Sequence, residues 1–196
     1  MTKGEKRKQD LLRIAYGLFL TKVFEATSVD EIIEKAGIAK GTYYYYFESK
    51  EQMLEEVIGM MIAAETENAE KVLAADLPAP MKIAGIISAL RPSEEEAPID
   101  TALERPENII MHKKIRGKLT ETIVPLLSKA VEQGISEGIF DCDNIPERVK
   151  MLLNISGEIF DENSFTERDT AVYIDMTEKL LGAEKGTMEF IRKLIR

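Results

Sequence analysis

Cysteine and histidine are almost missing from this chain. A single cysteine, Cys142, excludes an internal disulfide framework, and a single histidine, His112, excludes a zinc site of Cys and His ligands. Both scarcities suit a reducing cytoplasm, the expected location. Long apolar runs are missing as well. The longest, Val57 to Ala64, falls far short of the roughly 20 residues that span a bilayer, and the opening M-T-K-G-E-K-R-K-Q-D is polar, so no membrane or targeting segment is expected. The inventory for catalysis is equally thin. There is no Gly-rich phosphate loop, no serine elbow and no paired metal motif, and His112 and Cys142 lie thirty residues apart on separate expected elements. Neither an enzyme nor a bound metal or cofactor is expected, and an enzyme on an all-helical scaffold is the most distant alternative. The acidic run Glu94-Glu95-Glu96 reads as a solvated loop rather than a ligand set.

What is present is a globular composition, 44% hydrophobic over 196 residues, enough for one core of ordinary size with a modest appendage. The net charge of −9 is unevenly divided. Residues 1–50 hold nine Lys/Arg against seven Asp/Glu, whereas residues 51–196 hold seventeen against twenty-eight. The acid therefore sits in the body, and charges beyond a Debye length of about 10 Å are largely screened. Lys3, Lys6, Arg7 and Lys8 head the chain. They either reach along phosphates or form a solvated tail.

The richest stretch runs from Thr27 to Lys50. Ser28-Val29-Asp30-Glu31 has the spacing of a capping box, and Ile32, Ile33 and Ala36 follow at helical intervals. Gly37 then supplies the left-handed conformation that closes a helix, and the chain restarts within three residues as a second helix, Lys40 to Phe47. Two short helices about so brief a turn form a helix-turn-helix. On a 3.6-residue wheel Tyr43 and Phe47 point one way, Gly41, Thr42, Tyr45 and Tyr46 point the other, and Lys40 and Tyr44 flank them. Four of the six tyrosines lie in this one run, each joining an apolar ring suited to a thymine methyl to a hydroxyl suited to a phosphate.

Ile14-Ala15 with Leu18-Phe19, Ala26 to Ile32, Ala36 to Thr42, the Tyr43–Phe47 run and Ser49-Lys50-Glu51 resemble, in register over some forty residues, the DNA-binding domain of the TetR family of transcriptional regulators. The resemblance covers about a quarter of the chain and implies architecture alone beyond Leu54. Three positions depart from the family pattern. Val23 replaces a frequent glycine, Ile33 a common alanine, and Ala39 the serine or threonine that usually caps the second helix. Val23 and Ile33 can compensate each other by enlarging the small core, whereas Ala39 leaves a helix start without a side-chain acceptor.

Elsewhere the chain reads as all-α. The first helix is expected from near Lys6 to about Thr21. A long fourth helix should be capped near Ser49 and end before Pro78, with short helices over Met81–Leu90 and Ile99–Glu104 among the prolines. A long segment from Glu107 to about Ser136 should kink at Pro125. Gly134, Gly138 and Asp141-Cys142-Asp143-Asn144 mark a loop before two further apolar helices and a short amphipathic one over 187–196.

The expected organisation is thus an N-terminal three-helix bundle with the helix-turn-helix, residues 1–48, followed by a larger helical ligand-binding and dimerisation domain, residues 49–196. The expected function is a ligand-responsive regulator, a repressor, bound as a dimer to a pseudo-palindromic double-stranded DNA operator. An architectural or cell-division DNA binder without an inducer is the alternative. The DNA-binding set is Thr27, Ser28, Lys40, Gly41, Thr42, Tyr44, Tyr45, Tyr46 and Lys50. Within it Ser28, Lys50 and the Tyr44 and Tyr46 hydroxyls are assigned to phosphates, and Lys40, Gly41, Thr42 and Tyr45 to base edges. The resemblance implies a homodimer through the helices at 146–160 and 166–182, whose broad apolar coverage agrees, and a small-molecule effector. Met60, Met61, Met81 and Met111 are suited either to an apolar effector pocket or to the core.

Overall fold

The computed structural model describes residues 2–22, 24–91, 93–160 and 165–194. Among them the chain forms helices α1 (Lys3–Thr21), α2 (Val29–Ala36), α3 (Lys40–Tyr46), α4 (Lys50–Ala74), α5 (Ala79–Ala89), α6 (Ala97–Leu103), α7 (Ile109–Ser136), α8 (Ile145–Phe160), α9 (Glu167–Leu181) and α10 (Ile191–Leu194), with no strand. They gather into two compact units. One comprises residues 1–64 and 92–117, the other 65–91 and 118–196, so α4 and α7 each run unbroken from one unit into the other.

In the first unit, α1 begins three residues earlier than its apolar pattern foretells. Thr2 accepts from the Glu5 N–H at 3.2 Å while the Glu5 carboxylate accepts from the Thr2 N–H at 2.7 Å, a closed capping box that draws the basic cluster into the helix. Leu11, Leu12, Ala15, Leu18 and Phe19 form its buried stripe. At α2 only half of the anticipated box forms. Ser28 Oγ accepts from the Glu31 N–H at 3.1 Å, but the Glu31 carboxylate turns away to Lys22 Nζ at 2.5 Å, and that partner holds it below the usual carboxylate range. Gly37 closes α2 at φ 61°, ψ 41°, a conformation in which a Cβ would be strained. Val23 lies outside the described residues, and Ile33 is half-buried.

The same unit recruits a segment from the middle of the chain. α6 buries Ile99, Ala102 and Leu103 and packs on α1 and on the 3-10 turn Phe24–Ala26. The acidic run is therefore not a simple solvated loop. It forms a 3-10 turn in which Glu96 accepts from the Tyr16 hydroxyl at 3.0 Å and from Ser93, while Arg105 pairs with Glu25 at 3.2 Å. Pro80 and Pro98 fall in first turns, where their missing N–H costs nothing, so α5 and α6 start earlier than the proline positions suggest.

The second unit is built around Ile83, Ile86, Leu126, Leu127, Val131, Val149, Leu152, Ile174 and Leu181. Gly134 belongs to α7, not to the loop after it. A Cβ there would stand 2.2 Å from the Phe140 ring and 3.0 Å from Ala79 Cβ, so the glycine is what lets Phe140 fold back and bury itself against the helix. The Arg148 guanidinium donates to the Asp143 and Leu180 carbonyls, both at 2.6 Å, joining the start of α8 to the end of α9. α9 opens with a capping box between Thr166 and Asp169. It buries Tyr173, Ile174 and Leu181, whereas Ala171 and Val172 face outward, so the apolar coverage of this helix extends beyond its buried face. The expected terminal helix shrinks to the four residues of α10 after a turn, and residues 195–196 lie outside the described set.

Candidate nucleic-acid interface

α3 is a seven-residue helix anchored by two aromatic rings. Tyr43 and Phe47 are fully buried, and the Tyr43 hydroxyl donates to the Ser49 carbonyl at 3.3 Å, tying the end of α3 to the start of α4. Burial, then the neighbouring Tyr44 and Glu51, push the Tyr43 hydroxyl up to about 12, so it is neutral at any ordinary pH. The remaining tyrosines take the other side. Tyr45 is 81% and Tyr44 49% exposed, Tyr46 is half-buried, and edge-on ring pairs brace them, Tyr43 with Tyr44 at 5.3 Å and Tyr45 with Tyr46 at 4.9 Å. Gly41 is exposed with open space above it, and Thr42 is partly exposed beside it. The helix begins bare, because Ala39 makes no side-chain capping bond.

Two members of the sequence-derived set sit elsewhere. Thr27 is fully buried, its hydroxyl without a partner among the described residues, and is out of reach of any external ligand in this conformation. Lys50 turns its ammonium inward, donating to the Phe24 carbonyl at 2.8 Å and the Thr27 carbonyl at 2.9 Å and lying 4.2 Å above the Phe24 ring. It therefore clamps the turn before α2 instead of presenting a free cation beside α3. The physical reason is proximity: the Phe24 and Thr27 carbonyls of this turn stand where α4 begins, and a carbonyl oxygen can take a second donor, as Phe24 does beside its bond from the Thr27 N–H at 3.2 Å.

Ser28 and Lys40 keep their outward positions. Ser28 is exposed but already spends its hydroxyl on the Glu31 N–H, and Lys40 pairs with Asp30 at 3.0 Å, a bond that raises its pKa. Such an exposed pair is weak and yields readily to a phosphate.

A basic cleft completes the surface. Lys3, Lys6 and Arg7, on the first turns of α1, line with Gly4, Asp10 and Tyr46 an open concavity of about 740 Å³. None of the three cations pairs with an acid among the described residues, whereas Lys8 is bound to Glu56 at 2.5 Å. From composition alone this cluster fits either a solvated tail or a phosphate contact. The Thr2-x-x-Glu5 spacing was the signal that it is helical. Among the described residues no group of His, Cys, Asp and Glu is placed to hold a metal, and no helix is long and apolar enough to cross a membrane.

Comparison with known proteins gives the same picture. The model for bacterial regulatory proteins of the tetR family matches residues 11–57, and that for the tetracyclin repressor-like C-terminal domain matches residues 94–181. The HTH-type transcriptional repressor KstR2 of Mycolicibacterium smegmatis is 44% identical over 52 residues, 26% of this chain and 25% of that protein. The chain thus spans about a quarter of the length of this curated relative. The HTH-type transcriptional regulator YhgD of Bacillus subtilis is 24% identical over 141 residues, covering 70% of this chain and 74% of the relative. Among solved structures, RolR in complex with resorcinol superposes with a TM-score of 0.64 at 19% identity, over 98% of this chain and 94% of RolR. A transcriptional regulator from Cytophaga hutchinsonii superposes at 0.62 and 19% identity, over 89% and 94% of the two chains. The structural likenesses establish the fold.

Proposed function

Because the chain belongs to the TetR family of bacterial regulatory proteins, we propose that it is a cytoplasmic repressor which binds a pseudo-palindromic operator as a homodimer and is released by a small molecule. The observation that carries this reading is the outward face of α3, where Tyr45 is 81% exposed on a helix pinned from below by Tyr43 and Phe47. A folded chain gains nothing by holding a tyrosine so far into water unless something else covers it. On this reading residues 1–48 engage DNA and residues 49–196 bind the effector and the second copy.

Lys40, Gly41, Thr42 and Tyr45 meet base edges, and Ser28, Tyr44, Tyr46 and the basic cleft meet phosphates. Thr27 and Lys50 position α2 and α4 from inside. The second copy docks on the helices at 146–160 and 166–182, where Met151 and Val172 are 56% and 61% exposed. Effector binding reaches the DNA-binding helices through α4, which passes from Lys50 to Ala74 with no linker. Relatives named as repressors and the resorcinol complex of RolR support the repressor and effector parts of the reading.

Footprinting on DNA flanking the gene, with sedimentation of the free protein, tests it. One or a few palindromes should be protected by a dimer. Thr42→Ala and Tyr45→Ala should each relax preference at particular base pairs at a cost of about 1–3 kcal/mol. Full operator affinity from a monomer, or equal loss on every sequence for both variants, would refute the assignment.

A further inference from the structure

Within the unit of residues 65–91 and 118–196 a cavity of about 260 Å³ opens among α5, α8, α9 and α10. Ile87, Leu153, Phe160 and Ile191 and the Tyr173 ring make its walls. An inner pocket of about 50 Å³ shares Ile87, Leu153, Tyr173 and Ile191 and continues toward Val131 and Met188. None of Met60, Met61, Met81 and Met111 lines either space. The hydroxyls on the wall are already used: Tyr173 donates to the Leu152 carbonyl at 3.0 Å and Ser156 to the Leu153 carbonyl at 2.9 Å.

Among the described residues the one charged side chain on the wall is that of Arg91, just past the C-cap of α5. No carboxylate among the described residues pairs with its guanidinium. Arg91 is exposed at this rim, so its guanidinium is open to an external partner. A planar fork with no internal partner, at the rim of an apolar space, matches a carboxylate taken two-pronged with its hydrocarbon directed inward. The volume is about nine times the roughly 30 Å³ share of a water molecule, which suits a ligand of the order of ten heavy atoms.

We propose that this cavity binds a small amphipathic monocarboxylate, its carboxylate on Arg91 and its apolar tail between Ile87, Leu153, Phe160 and Ile191 toward the inner pocket. The binding claim stands on the cavity alone, whereas its consequence for DNA rests on the regulator reading above.

Calorimetric titration of the full chain with octanoate and with 1-octanol, its neutral counterpart, tests the assignment. Octanoate should bind at least about 10-fold more tightly than octanol, the difference that a charge-assisted pair supplies. Arg91→Gln should erase that preference while leaving octanol binding and the melting temperature unchanged, and Arg91→Lys should restore part of it. Equal affinity for the two probes, an octanoate affinity indifferent to Arg91→Gln, or no binding of either at millimolar concentration overturns the proposal. Repeating the titration with operator DNA present separates the two claims. Octanoate bound through Arg91 with operator affinity unchanged keeps the site and removes its role as the effector site.

Discussion

Replacing Lys50 by methionine keeps the apolar stem and deletes the ammonium. Two charge-assisted hydrogen bonds, to the Phe24 and Thr27 carbonyls at 2.8 and 2.9 Å, vanish, as does the cation above the Phe24 ring at 4.2 Å. Hydrogen bonds to charged groups contribute about 1.5–3 kcal/mol each, and a partly exposed cation–π contact about 0.5–1. Lys50 is only half-buried, and water can reach part of the turn it clamps. The lower end applies, giving a loss of about 2–4 kcal/mol. For a chain of this length that lowers the melting temperature by roughly 5–15 °C. Thermal unfolding by circular dichroism reads it directly. Operator binding of the folded fraction, measured against salt, should keep the parent slope, because no phosphate contact has been removed. A variant that melts like the parent but loses about one unit of salt slope would refute the reasoning. Lys50 would then face phosphate, and the inward clamp would be no part of the working protein.

Three further outcomes are expected. Ala39→Ser supplies the missing acceptor at the start of α3 and should stabilise the chain by about 0.5–2 kcal/mol in urea unfolding, with tighter operator binding and unchanged sequence preference; no rise in the midpoint would mean that position 39 is not the N-cap of the helix in solution. Replacing Lys3, Lys6 and Arg7 together by alanine should lower the salt slope of operator binding by up to about 2.7 units without changing the preferred sequence, and a slope unchanged to within half a unit would remove the cleft from the interface. Because the Tyr43 hydroxyl is raised to about 12 in the fold, its neutral form contributes stability that is full below the ordinary tyrosine value near 10 and is lost as pH climbs toward 12; the urea midpoint should fall over that window less steeply in Tyr43→Phe than in the parent, and parallel curves would contradict the burial argument.

The helix-turn-helix was readable because its determinants are local. Ser28, Gly37 and the alternation of Tyr43 and Phe47 with their outward neighbours act within a few residues, and the structure uses them as the spacing implies. What escaped were side chains whose partners lie far along the chain. Lys50 beside a DNA-binding motif looks like a phosphate ligand until the carbonyls more than twenty residues before it are seen. The acidic run looks like solvent-facing loop until Tyr16, eighty residues away, donates to Glu96. Gly134 reads as a break because the residue it makes room for, Phe140, belongs to the next segment. The Arg91 cavity has no local signature at all, since its walls come from four helices.

The recruitment of α6 by the DNA-binding unit has a consequence for biosynthesis. That unit is complete only with residues 92–117, yet its first piece ends at residue 64, so 53 residues of nascent chain intervene before the last of its parts has been made. At roughly 5–20 residues per second this interval lasts about 3–10 s on the ribosome. Until Leu103 has been made, the surface of α1 that packs on α6 has no cover. The helix-turn-helix, synthesised before α6, is therefore finished late, and a messenger truncated before residue 97 would release a DNA-binding head with an open apolar flank.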